Sequence, residues 1–146
     1  MSSLDENYIL FKVKDFDCAL NNRNVQEIIR NNKNITAVKQ APDYINGVIN
    51  LRGQIVTVIN LAVLFELEGD SPSSDRTVII VNYEDEVFGF LISEVIDILS
   101  ESNSNIEYSS VLPQDQRKEY VKSVLSIDGH LYSQLNIENV VNLETA

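Results

Sequence analysis

The sequence predicts an all-β fold with short helices, arranged as a pair of small antiparallel barrels that pack together. Three observations predict it. Short runs of branched aliphatic and aromatic residues alternate with tight polar turns, as in small barrels. The whole pattern occurs twice, with the same order of elements each time. The size also fits: 146 residues, 44% hydrophobic and 23% charged, are globular and enough for one ordinary domain or two very small barrels sharing a core.

The repeat is read directly from the residues. "YINGVINLRGQIVTVINLAVLF" (44–65) lies over "YVKSVLSIDGHLYSQLNIENVV" (120–141) at a constant spacing of 76. Tyr44 meets Tyr120, Val48 meets Val124, Gly53 meets Gly129 and Asn60 meets Asn136. Apolar positions agree too: Leu51 with Ile127, Ile55 with Leu131, Ile59 with Leu135. Upstream, "FKVKDFDCALNNRNVQEII" (11–29) lies over "VNYEDEVFGFLISEVIDIL" (81–99) at a spacing of 70, so the second copy carries six extra residues in its connection.

Each copy opens with a strand, Tyr8–Val13 or Thr77–Val81, rich in β-branched and aromatic residues. A polar turn follows, then a second strand through Cys18–Leu20 or Val87–Ile92. A third apolar segment is Val25–Ile29 or Val95–Leu99. The connection after the second copy's third segment, 100–119, is polar and reads as a loop. The hairpins come next, Val48–Leu51 with Gln54–Ile59 and Val124–Ile127 with His130–Leu135. Each copy ends in a short helix that Asn60 or Asn136 caps, with Leu61, Leu64 and Phe65, or Ile137, Val140 and Val141, on one face. "ELEGDSPSSDR" (66–76) joins the copies and reads as a linker. The expected organisation is therefore a single domain over 1–146, with a first barrel repeat at 7–68 and a second at 76–145. A copy of about sixty to seventy residues is marginal alone, so a terminal strand is open to exchange between them.

One turn breaks the symmetry. The second hairpin turns on Asp128-Gly129, a favoured type I′ pair, whereas the first turns on Arg52-Gly53. Glycine supplies a positive φ, but arginine brings no such backbone advantage. Three readings follow: a tolerated turn residue, an internal brace against an aromatic such as Tyr44 or Phe65 or against a carboxylate, or a guanidinium offered to a partner protein.

Net charge is −11 with a pI near 4.4, which argues against nucleic-acid binding and against an anionic membrane surface. Cys18 cannot form an internal disulfide and reads as a buried apolar residue. The N-terminus lacks the basic start and apolar run of a signal peptide, and no window reaches the length of a membrane span, so the expected location is the cytoplasm. Asn34-Ile35-Thr36 is then a chance sequon. No catalytic constellation is present: His130 is the single histidine and reads as a hairpin surface residue. There is no metal-ligand spacing, phosphate loop or nucleophile elbow, and Asp15-x-Asp17 lacks the further ligands of a calcium loop. The expectation is no enzyme, cofactor or metal. What remains is a surplus of apolar side chains, among them Val25, Ile28, Val78, Phe88, Val95 and Ile98. Most must be core, and any subset left on an outer face would form a protein-binding groove.

The residues that carry a resemblance are "VQEII" (25–29), "APDYINGVINLRGQIVTVINL" (41–61) and "TVIIV" with "VFGFLISEVIDIL" (77–81 and 87–99). From about Tyr8 to Leu143 the chain resembles CheW, the bacterial chemotaxis coupling (adaptor) family, whose relatives include the regulatory domain of the histidine kinase CheA and CheV. The resemblance implies two SH3-like five-stranded antiparallel β-barrel subdomains and a non-enzymatic scaffold. That scaffold would couple the cytoplasmic tips of methyl-accepting chemoreceptors to CheA in the signalling array of a two-component system, associated with membrane-bound receptors through its partners. It further implies a groove between the barrels that takes the receptor's helical hairpin tip, with Val25, Glu27, Val78, Ile79, Phe88, Gly89, Val95 and Ile98 on the groove or its edges. Arg52 would matter for receptor coupling, and Gly47 lies near the same surfaces. The chain departs from the family at Asn60 and Asn136, where Asp is usual, and at Ser123, where the first copy has Gly47. Alternatives are a scaffold of another receptor-kinase pathway such as surface motility, and a small ligand-binding barrel.

Overall fold

The computed structural model describes residues 7–30, 34–67, 77–100, 106–109 and 116–142. In chain order the first copy supplies β1 (Asn7–Val13), β2 (Phe16–Asn21), β3 (Val25–Ile29), β4 (Ile45–Leu51), β5 (Gln54–Asn60) and α1 (Leu61–Leu64). The second supplies β6 (Thr77–Tyr83), β7 (Glu86–Ile92), β8 (Glu94–Ser100), β9 (Ile106–Ser109), β10 (Val121–Ile127), β11 (His130–Leu135) and α2 (Ile137–Val141).

The two compact units of the structure are not the two sequence copies. One unit is Met1–Arg23 with Val95–Ala146, the other Asn24–Glu94. The first holds a sheet in the order β8-β1-β2-β11-β10-β9, the second a sheet in the order β3-β6-β7-β5-β4. So β1 and β2 of the first copy carry the hairpin β10–β11 of the second, while β6 and β7 of the second carry β4–β5 of the first. The third strands cross as well: β3 lies on β6, and β8 lies on β1. The expectation of barrels at 7–68 and 76–145 is thus corrected, because exchange involves about half of each copy rather than a terminal strand. Hydrophobic alternation specifies which face of a hairpin is buried. It does not specify which copy's hairpin covers that face, since the two copies share one pattern.

Each sheet also contains a parallel pair. Strand β11 runs parallel to β2, Ser133 beside Cys18, and β5 runs parallel to β7, with Thr57 to Asn60 beside Phe88 to Leu91. Two core clusters among the described residues draw on both copies. Tyr8, Leu10, Ala19, Leu125, Ile127 and Tyr132 form one, with Leu99 and Ile106 against it. Ile49, Val56, Val58, Val78, Ile80 and Leu91 form the other, with Ile29, Ile35, Leu51 and Val87 against it. Cys18 is buried.

The two long hairpins are equivalent in register, as expected. Ile45 pairs with Ile59 and Leu51 with Gln54; Val121 pairs with Leu135 and Ile127 with His130. Each ladder shifts at the same place, between Ile45 and Gly47 and between Val121 and Ser123. The bulge therefore survives with serine in place of glycine. Both capping asparagines act as expected. Ala62 N–H and Val63 N–H donate to Asn60 Oδ1 at 3.0 and 3.3 Å, and Asn139 N–H donates to Asn136 Oδ1 at 3.1 Å.

Part of 100–119 is ordered where a loop was expected. β9 pairs with β10, Ile106 packs on the core, and the Tyr8 and Tyr108 hydroxyls lie 2.9 Å apart. A four-residue strand with one inward aliphatic has too little alternation to be read from sequence. Residues 101–105 and 110–115, and 68–76 of the expected linker, lie outside the described residues.

Candidate partner-binding surface

Of the ten residues expected at the surface, eight belong to the unit Asn24–Glu94. They divide by burial into those that build the sheet and those that can touch a partner. Val78 and Ile79 lie on β6, which has β3 on one side and β7 on the other, and both are fully buried. They are core, and the expectation that they offer contact surface is corrected: a long apolar run such as Thr77–Val81 is what a strand covered on both faces requires. Gly89 is buried too. A Cβ there would lie 2.8 Å from Val78 Cγ1 and 3.3 Å from Val58 Cγ2, so this glycine admits core side chains rather than a ligand. Phe88 is half-buried, and Val25 and Glu27 are half-buried on the edge strand β3.

Gly47 has a structural task. Its φ is +153°, and an added Cβ would sit 2.2 Å from the Thr36 carbonyl oxygen. Thr36 and Val48 exchange both backbone hydrogen bonds at 2.8 Å across this point. Only glycine allows that close approach.

Arg52 occupies the turn of β4–β5 at φ +51°, with Gly53 at +85°, so both central residues are left-handed, as a type I′ turn demands. Asp128 and Gly129 repeat the geometry at +51° and +84°. Asp is enriched in this backbone region and Arg is not. The turn is tied by a side chain: Gly53 N–H donates to Asn50 Oδ1 at 2.9 Å. From there the guanidinium reaches β3, where Arg52 Nη2 lies 3.0 Å from Glu27 Oε1 and 2.8 Å from Oε2. Of the three readings of Arg52, the carboxylate contact is realised, but on the surface, with the arginine side chain 68% exposed. The hydrogen bond from Arg52 holds the Glu27 carboxyl below its usual value against the opposing effect of burial, and Glu27 in turn raises the Arg52 pKa.

The remaining two residues lie on β8, in the other unit. Val95 is half-buried, and Ile98 is 54% exposed. Sequence reasoning missed Ile96 beside it, 40% exposed, although strand alternation places 96 and 98 on one face. It also missed that Ile55 and Leu131, matched by the repeat, are both exposed next to their turns. A charged cluster in this unit was missed as well. Lys12 Nζ and His130 Nε2 each lie 2.7 Å from one oxygen of Asp17, and the His130 ring packs 4.8 Å from that of Tyr132. Burial raises the Asp17 pKa, but Lys12 and His130 together outweigh it and lower the value overall. The signal was topological: Lys12 and Asp17 face each other across the β1–β2 pair, but only the exchange brings β11, with His130, beside β2. Among the described residues no group of His, Cys, Asp and Glu could hold a metal ion, and no helix is long and apolar enough to cross a membrane.

Comparison with known proteins covers nearly the whole chain. The model of the CheW-like domain family matches residues 7–145. A probable chemotaxis protein CheW of Rhizobium etli is 28% identical over 92% of this chain and 86% of its own length. The chemotaxis protein CheW of Klebsiella aerogenes is 28% identical over 97% of this chain and 85% of its own. Among solved structures, the scaffolding protein TtCheW from Thermoanaerobacter tengcongensis shares the fold, with a TM-score of 0.78 at 24% identity over 91% of this chain and 90% of that one.

Proposed function

The chain belongs to the CheW family, and from that premise we propose that it is a non-enzymatic chemotaxis adaptor coupling the cytoplasmic tips of chemoreceptors to the histidine kinase CheA. The observation that carries the reading is family membership over almost the full chain, together with surface side chains in each unit that suit protein contact. The unit Asn24–Glu94 has half-buried Val25 and Phe88 and a guanidinium held in the open by one carboxylate, and the other unit has exposed Ile96 and Ile98 on its edge strand β8.

Such a surface works by complementarity rather than reaction. Aliphatic side chains such as Ile98 gain by being covered, and a helical partner presents apolar side chains at the spacing needed to cover them. Arg52 adds direction, because a carboxylate or carbonyl on the partner can share its remaining N–H donors. Glu27 fixes where those donors point. Val78, Ile79 and Gly89 are buried in the β6–β7 pair and act by supporting it rather than by touching a partner.

The test is co-sedimentation of the purified chain with CheA and a receptor cytoplasmic fragment, with kinase output measured on the same mixtures. The expected result is a ternary complex, with kinase activation only when all three components are present. A chain that sediments with neither partner would overturn the proposal.

A further inference from the structure

We infer that Asn50 is a positioning residue for Arg52: its side-chain oxygen holds the turn that places the guanidinium, so the asparagine and the arginine of "NLRG" work as one device. The inference rests on the reading of Arg52 as a coupling residue.

An arginine at φ +51° is in a backbone region that few side chains favour, and the turn needs a second left-handed residue immediately after it. In the second hairpin the turn residue is Asp128, whose short polar side chain suits the left-handed region. In the first hairpin that local support is absent, because the side chain at 52 is long and points to Glu27. The compensating contact comes from two residues earlier. Asn50 Oδ1 accepts the Gly53 N–H at 2.9 Å, bridging the first and last residues of the stretch Asn50-Leu51-Arg52-Gly53. The residue is exposed, so its amide serves no core. Serine, with a shorter reach, stands at the equivalent position 126 of the second copy. The chain thus places the longer acceptor under the turn whose own residue is the poorer turn former.

Asn50→Ala removes the acceptor. In the full chain, Arg52 should then leave Glu27 for part of the time. The readouts are the titration of the Glu27 carboxyl by NMR, receptor-dependent kinase activation, and the melting temperature. The expected result is a Glu27 pKa that moves up toward the usual glutamate range, and coupling weakened roughly 2- to 10-fold, the scale of one hydrogen bond. The melting temperature should fall only slightly. Asn50→Asp keeps an oxygen at the same place and should keep coupling near wild type. If Glu27 titrates as in wild type in Asn50→Ala, Asn50 does not position Arg52 and the inference is overturned. Equal loss of coupling in Asn50→Ala and Asn50→Asp would overturn it too. If Glu27 shifts but coupling is unchanged, the positioning stands and the coupling role of Arg52 fails instead.

Discussion

Replacing Gly47 by alanine separates a structural glycine from a contact glycine. The added methyl would lie 2.2 Å from the Thr36 oxygen and 2.8 Å from its carbonyl carbon, both backbone atoms that no rotamer change can move aside. Relief therefore requires Thr36 and Val48 to separate, which breaks two hydrogen bonds of 2.8 Å. Two such bonds contribute about 1–3 kcal/mol together. Holding alanine at φ +153° adds strain of about 1–3 kcal/mol. The two costs are independent and together come to about 2–6 kcal/mol. For a chain of this size that is a fall in melting temperature of roughly 5–15 °C. Circular dichroism melts and urea titrations of wild type and Gly47→Ala measure it. Receptor binding, assayed well below the variant's transition, should remain close to wild type, since the glycine faces Thr36 and not a partner. A melting temperature within about 2 °C of wild type would refute the steric reasoning. Unchanged stability with lost binding would return Gly47 to the contact surface.

Arg52→Asp should keep the melting temperature, since Asp-Gly is the favoured pair for this turn and the lost ion pair is exposed, yet it should impair receptor-dependent kinase activation; thermal melts and reconstituted kinase assays check both. Ile98→Glu changes a side chain that is 54% exposed, so folding should be unaffected while receptor binding weakens by about tenfold or more if Ile98 is a central contact. Val95→Lys, at a half-buried site, should weaken binding similarly with some loss of stability, and normal folding with wild-type binding in both variants would remove β8 from the surface. Asp17 has a lowered folded-state pKa, so its stabilising contribution is complete above the unfolded value and is lost as pH falls through the folded one. Lys12→Met should therefore reduce the acid-dependent loss of melting temperature below about pH 4.

Most strands were legible because alternation and turn chemistry are local. The two hairpins, both asparagine caps and the third strands at 25–29 and 95–99 all stand where their residues place them. The partnership of strands was not legible, because duplication makes self-pairing and exchange equally compatible with one pattern. The same ambiguity hid the approach of His130 to the Lys12–Asp17 pair, since Asp17 and His130 are 113 residues apart. Burial within the candidate surface was also beyond a list of apolar residues. Val78 and Val25 look alike in sequence, but one is in a central strand and the other on an edge.

The repeat does more than reveal the fold; it acts as a control on the arginine. Position 52 corresponds to Asp128 and position 27 to Asp97, so the second copy carries two acids where the first carries an ion pair. Asp97 and Asp128 lie on β8 and the β10–β11 turn, the counterparts of β3 and the β4–β5 turn, and their sheet keeps the same hairpin register and the same left-handed turn. Like charges cannot pair there. A contact that one unit makes and its structural twin omits is not a requirement of the architecture. The turn needs only two residues with positive φ, and Asp128-Gly129 meets that need without help from β8. What Arg52 and Glu27 add is an oriented cation at the β4–β5 turn. If that cation served folding, Arg52→Asp would lower the melting temperature; the second hairpin is the reason to expect that it will not.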